Sequence, residues 1–382
     1  MNGKIRTKAE KQEIERIVYD SDASGIKGNA VEIKIPEKIE EVESIIRSSV
    51  DIDIVPRGGG SGLVGGAVPQ NSIVIDLSKL NRIIEINNEK KTAYVEAGVI
   101  LDELNEALRE YGLEFPVNPS SHAVCTIGGM IATNAVGSRA IKYGRTSEWT
   151  QSLDIVDGFG NLKRVNKIDL MDVAGLEGTT GIIVRALLKL TEIKKRTADL
   201  VEANSIDEVM QALDKMKREQ EVSMIEIFDR QTSKLLGFTE KYHLFIEYES
   251  DRGNLKNRTY NEVMKKRDSS YPVLAEKGYT IIEDPKILQA KLPEFLAYLE
   301  EKEIPFFGHL SVGIIHPCFK KQQEKLVDEM MVVVKKLHGE ITGEHGIGLL
   351  KKKYIEEQDK KIPQILKKRY DPANKLNRGK ML

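Results

Sequence analysis

The chain has 382 residues, with 58 Lys and Arg against 59 Asp and Glu, a formal net charge of −1. A balance this close gives no whole-molecule attraction to nucleic-acid phosphates, and no nucleic-acid partner is expected. At 40% hydrophobic and 31% charged residues, the composition is that of a soluble globular protein of two or three domains and excludes disorder as the main state.

Cys125 and Cys318 are too few for a disulfide framework or a Cys-ligated iron–sulfur cluster, and each reads as a small core residue. The opening MNGKIRTKAEKQEIERIVYD has no apolar core, so no signal peptide is expected. The apolar clusters at 182–190 and 330–334 fall short of the ~20 residues of a membrane helix. The expected location is cytoplasmic, with peripheral membrane contact left open.

Residues 31–54 read as strand, helix, strand. Val31, Ile33 and Ile35 alternate, Pro36 breaks the run, Ile39, Val42, Ile45 and Ile46 recur at helical spacing, and Ile52 and Ile54 alternate again. Strands are expected at Ile73, Val74 and Ile75, at Ile83, Ile84 and Ile86, and at Tyr94 and Val95. Leu101, Leu104 and Leu108 predict a helix ending near Gly112. The first half is therefore α+β with many short strands. Residues 113–148 are crowded with small side chains, which bury little area but let backbone approach a ligand. Residues 192–220 read as helical and charged, and 249–268 form the most polar long stretch, a solvated face. Boundaries are placed near 193 and, more softly, near 305.

Gly60-Ser61-Gly62-Leu63-Val64-Gly65 matches G-x-G-x-x-G, but a turn and a strand follow where the dinucleotide fingerprint needs a helix. No Gly-Lys-Ser/Thr follows, which excludes a Walker loop as well. Consecutive glycines from Gly58 to Gly62 between two strands can turn successive N–H groups into an anion nest suited to pyrophosphate; the alternative is a glycine-rich hairpin without a ligand.

The ordered stretches VPRGGGSGLVGGAV, NPSSHAVCTIGGMIATNAVGSRAIKYGRT and GLEGTTGII resemble the FAD-linked oxidase family with the p-cresol methylhydroxylase (PCMH) type of FAD domain. Within it the chain is most similar to the glycolate oxidase subunit, D-lactate dehydrogenase and D-2-hydroxyglutarate dehydrogenase branch. The resemblance covers residues 15–192 well and 280–382 moderately. It implies an α+β fold: a two-subdomain PCMH-type FAD-binding domain (1–192), a reduced α+β cap or substrate domain (193–305), and a C-terminal segment (306–382) returning to the flavin. It further implies that Arg57, Gly58, Gly59, Gly60, Ser61 and Leu63 line the FAD pyrophosphate. Pro119, Ser120, Thr126, Gly128, Gly129 and Asn134 would surround the flavin and its ribityl chain, and Gly137, Glu177, Gly181 and Ile183 the adenine half. Where some relatives carry a flavin-linked histidine this chain has Ser61-Gly62, which implies noncovalent FAD. The closing DPANKLNRGKML is similar to the family's D-P-x-x-x-x-N-P-G-K, with Arg378 replacing the proline, and Asn377 would reach back to the flavin ring.

Three of the six histidines lie in two glycine-containing C-terminal segments, FGHLSVGIIHP and TGEHGIG. Two histidines and a carboxylate are a usual catalytic-metal shell, though H-x₆-H alone is not diagnostic. The family pattern G-H-x-G-D-G-N-x-H followed by G-E-H-G implies that His309, His316 and Glu344 hold a divalent metal, Zn or Mn, and that His345 is the catalytic base. A divalent metal lowers the pKa of bound water to about 7, and an alcohol should benefit similarly. His345, with an ordinary pKa of about 6.5, is then a base suited to neutral pH.

Two positions depart from the pattern: Val312 and Ile314 stand where the family has Asp and Asn, and losing such supporting contacts costs on the order of 10–100-fold. The chain is also short between about 250 and 280, where relatives carry carboxylate-binding arginines, leaving Arg230, Arg258 and Arg267 available. The expected function is FAD-dependent oxidation of a small 2-hydroxy acid to the 2-oxo acid, with electrons passing to a quinone, a cytochrome or an electron-transfer protein, and with room for a homo-oligomer or redox-complex partner. The alternatives are a flavin-binding subunit with little activity alone, and an oxidase of the same fold with another substrate.

Overall fold

The first alternating run forms β1 (Asn29–Lys34), and helix α1 (Ile39–Ser48) follows with Ile39, Val42 and Ile46 buried. In this computed structural model, which describes residues 17–382, the leader-peptide reading of the opening segment falls largely outside the described residues. Strands β2 (Asp53–Arg57) and β3 (Gln70–Asp76) join β1 in a parallel sheet of order β1-β3-β2. Because β2 and β3 are parallel neighbours, the glycine-rich stretch between them is a crossover and not a hairpin. It must carry the chain back along the whole sheet.

β4 (Ile83–Asn87) and β5 (Thr92–Glu96) lead into helix α2 (Leu101–Arg109), whose Leu101, Leu104 and Leu108 are buried as their spacing predicts. Short β6 (Leu113–Glu114) and helix α3 (Ile127–Ala132) precede β7 (Thr150–Val156), β8 (Leu162–Asn166) and β9 (Ile182–Lys189). These make an antiparallel sheet of order β4-β5-β9-β7-β8, and α2 and α3 cover one face of it. β10 (Thr191–Glu192) pairs with β6 and closes this region.

The stretch read as wholly helical begins instead with β11 (Thr197–Ala203), and the helix α4 (Ile206–Met216) starts only at Ser205, whose side chain caps it. Thr197, Ala198 and Ala203 are buried, Asp199, Leu200 and Val201 are half-exposed and Glu202 is exposed, an edge strand whose charged residues mask its pattern. β12 (Val222–Phe228) and β13 (Tyr242–Tyr248) are buried along their whole length. Helices α5 (Asn257–Asp268) and α6 (Ser270–Glu276), strand β14 (Ile281–Ile282), helix α7 (Leu292–Glu301), β15 (Phe306–His309), β16 (Ile314–Phe319) and helix α8 (Glu324–Lys336) complete a sheet of order β11-β13-β12-β15-β16-β14. The division placed near residue 305 thus falls inside one sheet, between α7 and β15.

Alternation sorts this sheet into two faces. Ile225, Ile227, Leu244, Ile246, Phe306 and Ile315 pack under α4, α7 and α8. The opposite face carries Glu226, Phe307, His309, His316 and Cys318. After helix α9 (Glu357–Tyr370), the chain returns to the first sheet: the Asn377 N–H donates to the Ile54 carbonyl at 2.7 Å, and Leu376 bridges Ile54. Among the described residues no helix is long and apolar enough to cross a membrane.

Candidate active site

A cavity of about 780 Å³ runs from the glycine-rich crossover to β16. Arg57, Gly58, Gly59, Gly60, Ser61 and Leu63 line one side, with Pro119, Ser120, Thr126, Gly128 and Gly129 from the small-residue stretch. The glycines are required by backbone packing: a Cβ on Gly59 would lie 1.9 Å from the Val124 carbonyl oxygen, and one on Gly128 would lie 2.7 Å from the Ala97 methyl. Thr126 caps α3, accepting the Gly129 N–H at 3.2 Å. The backbone N–H groups of residues 59–63 make no hydrogen bond to other described residues. A cradle of free donors on bare backbone fits the pyrophosphate of FAD. Arg57 supports this loop from behind, donating to the Ser21 carbonyl at 2.9 Å.

Glu177, Gly181, Ile183 and Asn377 also line the cavity. The Glu177 carboxylate accepts the N–H groups of Ile347 (2.6 Å) and Gly348 (2.9 Å), tying the first region to the segment that carries His345. Burial raises its pKa against those two bonds. Asn377 Nδ2 donates to the Glu177 carbonyl (2.6 Å) and the Gly66 carbonyl (3.1 Å), and its Oδ1 accepts from Lys380 at 2.8 Å. Two expected residues stand outside the wall. Asn134 is a left-handed turn residue (φ 49°) whose Oδ1 accepts the Ser147 N–H, and Gly137 is packed against the Asn118 backbone.

The opposite side is built from buried side chains. His309 Nε2 lies 3.4 Å and His316 Nε2 3.2 Å from the two oxygens of Glu344, and one donor atom from each of the three residues falls within 4.8 Å of the others. His316, Glu344 and His345 reach the cavity, while His309 stands behind His316 with its ring perpendicular. The His345 ring stacks on His316 at 5.2 Å. This donor set fits a divalent transition metal. Burial disfavours charge on His309, but Glu226 and Glu344 outweigh it and push its pKa up to about 10. His345 goes the other way, to about 4: burial lowers it and His316 adds to that, while Asp284 opposes. His345 is therefore neutral at pH 7 but a weaker base than the ordinary value of about 6.5 implied, because burial disfavours the charged ring.

Two carboxylates missed in the sequence hold this arrangement. Glu226 of β12 accepts from His309 Nδ1 through Oε1 and from Arg267 Nε through Oε2 (3.2 Å). Asp284 Oδ2 collects the N–H groups of Gly343 (3.0 Å), Glu344 (2.7 Å) and His345 (2.7 Å) and the Thr342 hydroxyl (3.0 Å). Its Oδ1 pairs with the buried Lys351 and lies 3.5 Å from His345 Nδ1. The readable signal was one Glu in a strand, VSMIEIF, whose other six residues are uncharged. Of the three arginines considered for a carboxylate, Arg258 is exposed and paired with Glu262, and Arg230 pairs with Glu300. Arg267 alone lines the cavity, 5% exposed, with Nη1 on Ser120 (3.1 Å) and Asp268 (3.0 Å). Val312 lies in the turn after His309, and Ile314 packs against Gly343, where an added Cβ would meet it at 2.6 Å. Both expected core cysteines are buried and free, although Cys125 also touches the cavity.

A donor-rich backbone cradle opening onto buried imidazoles is an arrangement that suits a flavin-dependent oxidoreductase. Residues 32–166 match an FAD binding domain and residues 255–381 the C-terminal domain of FAD linked oxidases. The chain is 30% identical to the glycolate oxidase subunit GlcD of Bacillus subtilis, over 96% of this chain and 92% of that protein. It is 28% identical to a D-2-hydroxyglutarate dehydrogenase of Xanthomonas citri (92% and 89% covered) and 27% identical to a D-lactate dehydrogenase of Archaeoglobus fulgidus (93% and 91%). In fold it is similar to alkyldihydroxyacetonephosphate synthase, with a TM-score of 0.66 at 17% identity, covering 93% of this chain and 77% of that one. The chain belongs to the FAD-linked oxidase family and is an FAD-dependent oxidoreductase.

Proposed function

We propose that the enzyme oxidises a small 2-hydroxy acid to the 2-oxo acid, and that noncovalent FAD lies along the glycine cradle. The observation that carries this reading is one continuous cavity joining that cradle to Arg267, His316, Glu344 and His345. Bound FAD supplies the hydride acceptor at its N5. Arg267 receives the substrate carboxylate, since its Nη2 makes no hydrogen bond to a described residue and a guanidinium suits a carboxylate. Glu226 holds Arg267 and His309 on one carboxylate, so the acid-binding group and the imidazole cluster keep a fixed separation.

His345 takes the hydroxyl proton. Nδ1 lies 3.5 Å from Asp284 Oδ1 without a hydrogen bond, a placement that favours the proton on Nδ1 and the lone pair on Nε2, and burial favours the neutral ring. His309, His316 and Glu344 would hold a divalent metal, Zn or Mn, supplying Lewis acidity that makes the neighbouring hydroxyl easier to deprotonate. Electrons then leave to an acceptor other than nicotinamide. The test is an anaerobic screen of 2-hydroxy acids against the purified holoenzyme, watching the flavin band bleach. A flavin that stays oxidised with every acid would end this reading.

A further inference from the structure

Around the imidazoles, the cap side of the cavity is finished by Tyr271 and Pro272 of α6, Ile282 of β14 and Phe307 of β15. Phe307 is in register with His316, their ring centroids 5.0 Å apart, and Ile282 is in register with Cys318 two residues further along β16. Registered partners and alternate residues of one strand share a face, so Phe307 and Ile282 stand on the His316 side of the sheet. Tyr271 packs into the same apolar cluster, and its hydroxyl donates to the Thr280 carbonyl at 3.2 Å, which leaves the ring as its contribution to the wall.

Cationic side chains are scarce here. Among the described residues, Arg57 and Arg267 are the Lys or Arg side chains in the wall, and Arg57 is committed beneath the glycine loop. Arg267 is flanked by Glu226 and Asp268, and Asp268 is itself part of the wall. One substrate carboxylate has a receiver in Arg267. On the cap side a second would meet Tyr271, Ile282 and Phe307, or the Asp268 carboxylate, none of which is a cationic partner.

Resting on the 2-hydroxy acid reading above, we propose that the preferred substrates are monocarboxylic 2-hydroxy acids with a branched or aromatic apolar side chain, packed against Tyr271, Ile282 and Phe307, and that dicarboxylic acids are disfavoured. Each added methylene in a fitted apolar pocket is worth about tenfold in specificity or more.

The experiment is anaerobic stopped-flow reduction of the holoenzyme flavin by separated enantiomers of 2-hydroxy-4-methylpentanoate, 3-phenyllactate, lactate and 2-hydroxyglutarate. It is paired with titration of 4-methyl-2-oxopentanoate and 2-oxoglutarate, read as perturbation of the flavin spectrum without turnover. At least one apolar acid is expected to exceed lactate by about tenfold or more in reduction efficiency. 2-Hydroxyglutarate should fall below lactate, and 4-methyl-2-oxopentanoate should bind more tightly than 2-oxoglutarate. Tyr271→Arg, at a half-buried position, should reverse that order by gaining on the dicarboxylate and losing on the apolar acids. If 2-hydroxyglutarate or lactate is the fastest substrate of the unaltered enzyme, the preference is overturned and the 2-hydroxy acid reading stands. If none of the four reduces the flavin, the preference is overturned, and the wider screen of 2-hydroxy acids decides whether the underlying reading falls with it. The order measured on the unaltered enzyme decides even if the variant fails to fold.

Discussion

The two sides of the cavity are built by different means. On the first side the wall is backbone, and what limits each position is collision, as at Gly59 against the Val124 carbonyl. On the second the wall is side chains, and what limits each position is charge, as where Glu226 is shared by His309 and Arg267. Backbone offers many equivalent donors to one large cofactor, and no single contact is decisive there. A small substrate touches few groups, so each one has to be aimed. Damage to the two sides should therefore separate cofactor retention from turnover.

The sharpest way to break that contrast is Gly59→Val, which should abolish FAD binding because no rotamer removes a Cβ from 1.9 Å of a carbonyl oxygen. The visible spectrum of the purified variant is the measurement, and a stoichiometric yellow protein would show that the cradle tolerates side chains after all. Next in size, His345→Ala should keep its flavin yet lose on the order of 10²–10⁴-fold in the rate of substrate reduction, the usual worth of a general base. A wild-type-like rate in anaerobic single turnover would reject the assignment.

A third prediction concerns the join between the two sides. Glu247 of β13 accepts from Arg139 of the first region at 2.8 and 3.1 Å. Burial would raise its pKa, but Arg139 and then Arg196 outweigh it and hold it at about 2. Since the folded value lies below the ordinary carboxylate value, this stabilisation is complete above about pH 4.5 and is lost as pH falls through 2, roughly 3 kcal/mol in all. Urea unfolding across pH 2–7 should show a steep acid loss that Glu247→Gln flattens while lowering stability at neutral pH. An unchanged acid profile in that variant would remove Glu247 from the account. Smallest in effect, Glu226→Ala should leave FAD in place and cost on the order of 10–100-fold in substrate reduction, the range for supports of metal ligands. Equal loss of flavin and of activity would mean that the sides are not separable.

The sequence was most readable where one segment suffices. Ile39, Val42 and Ile46, and Leu101, Leu104 and Leu108, declare their helices through local period, and the glycine loop declares itself because a bare backbone stretch has few other uses. It was least readable where a residue acts through partners that topology brings from afar. Glu226 meets His309 across 83 positions and Asp284 meets His345 across 61, and neither spacing is a motif. β11 was misread because an edge strand flanked by charge keeps little alternation. Asn134 and Gly137 sit in a small-residue run, yet neither is in the cavity wall: Asn134 makes a left-handed turn and Gly137 packs against the Asn118 backbone.

The closure at Asn377 bears on how the protein comes to hold its cofactor. Arg57 and Asn377 line the same cavity, and Asn377 is moored to Ile54, Gly66 and Glu177. During synthesis the amino-terminal sheets emerge first, but their cavity lacks the part of its wall that Asn377 supplies until that residue has been made and has docked. Long-range closures of this kind form slowly. The flavin cavity is therefore complete only once this long-range contact has formed, and cofactor content in a cell extract is expected to follow the fraction of chains in which Asn377 has docked.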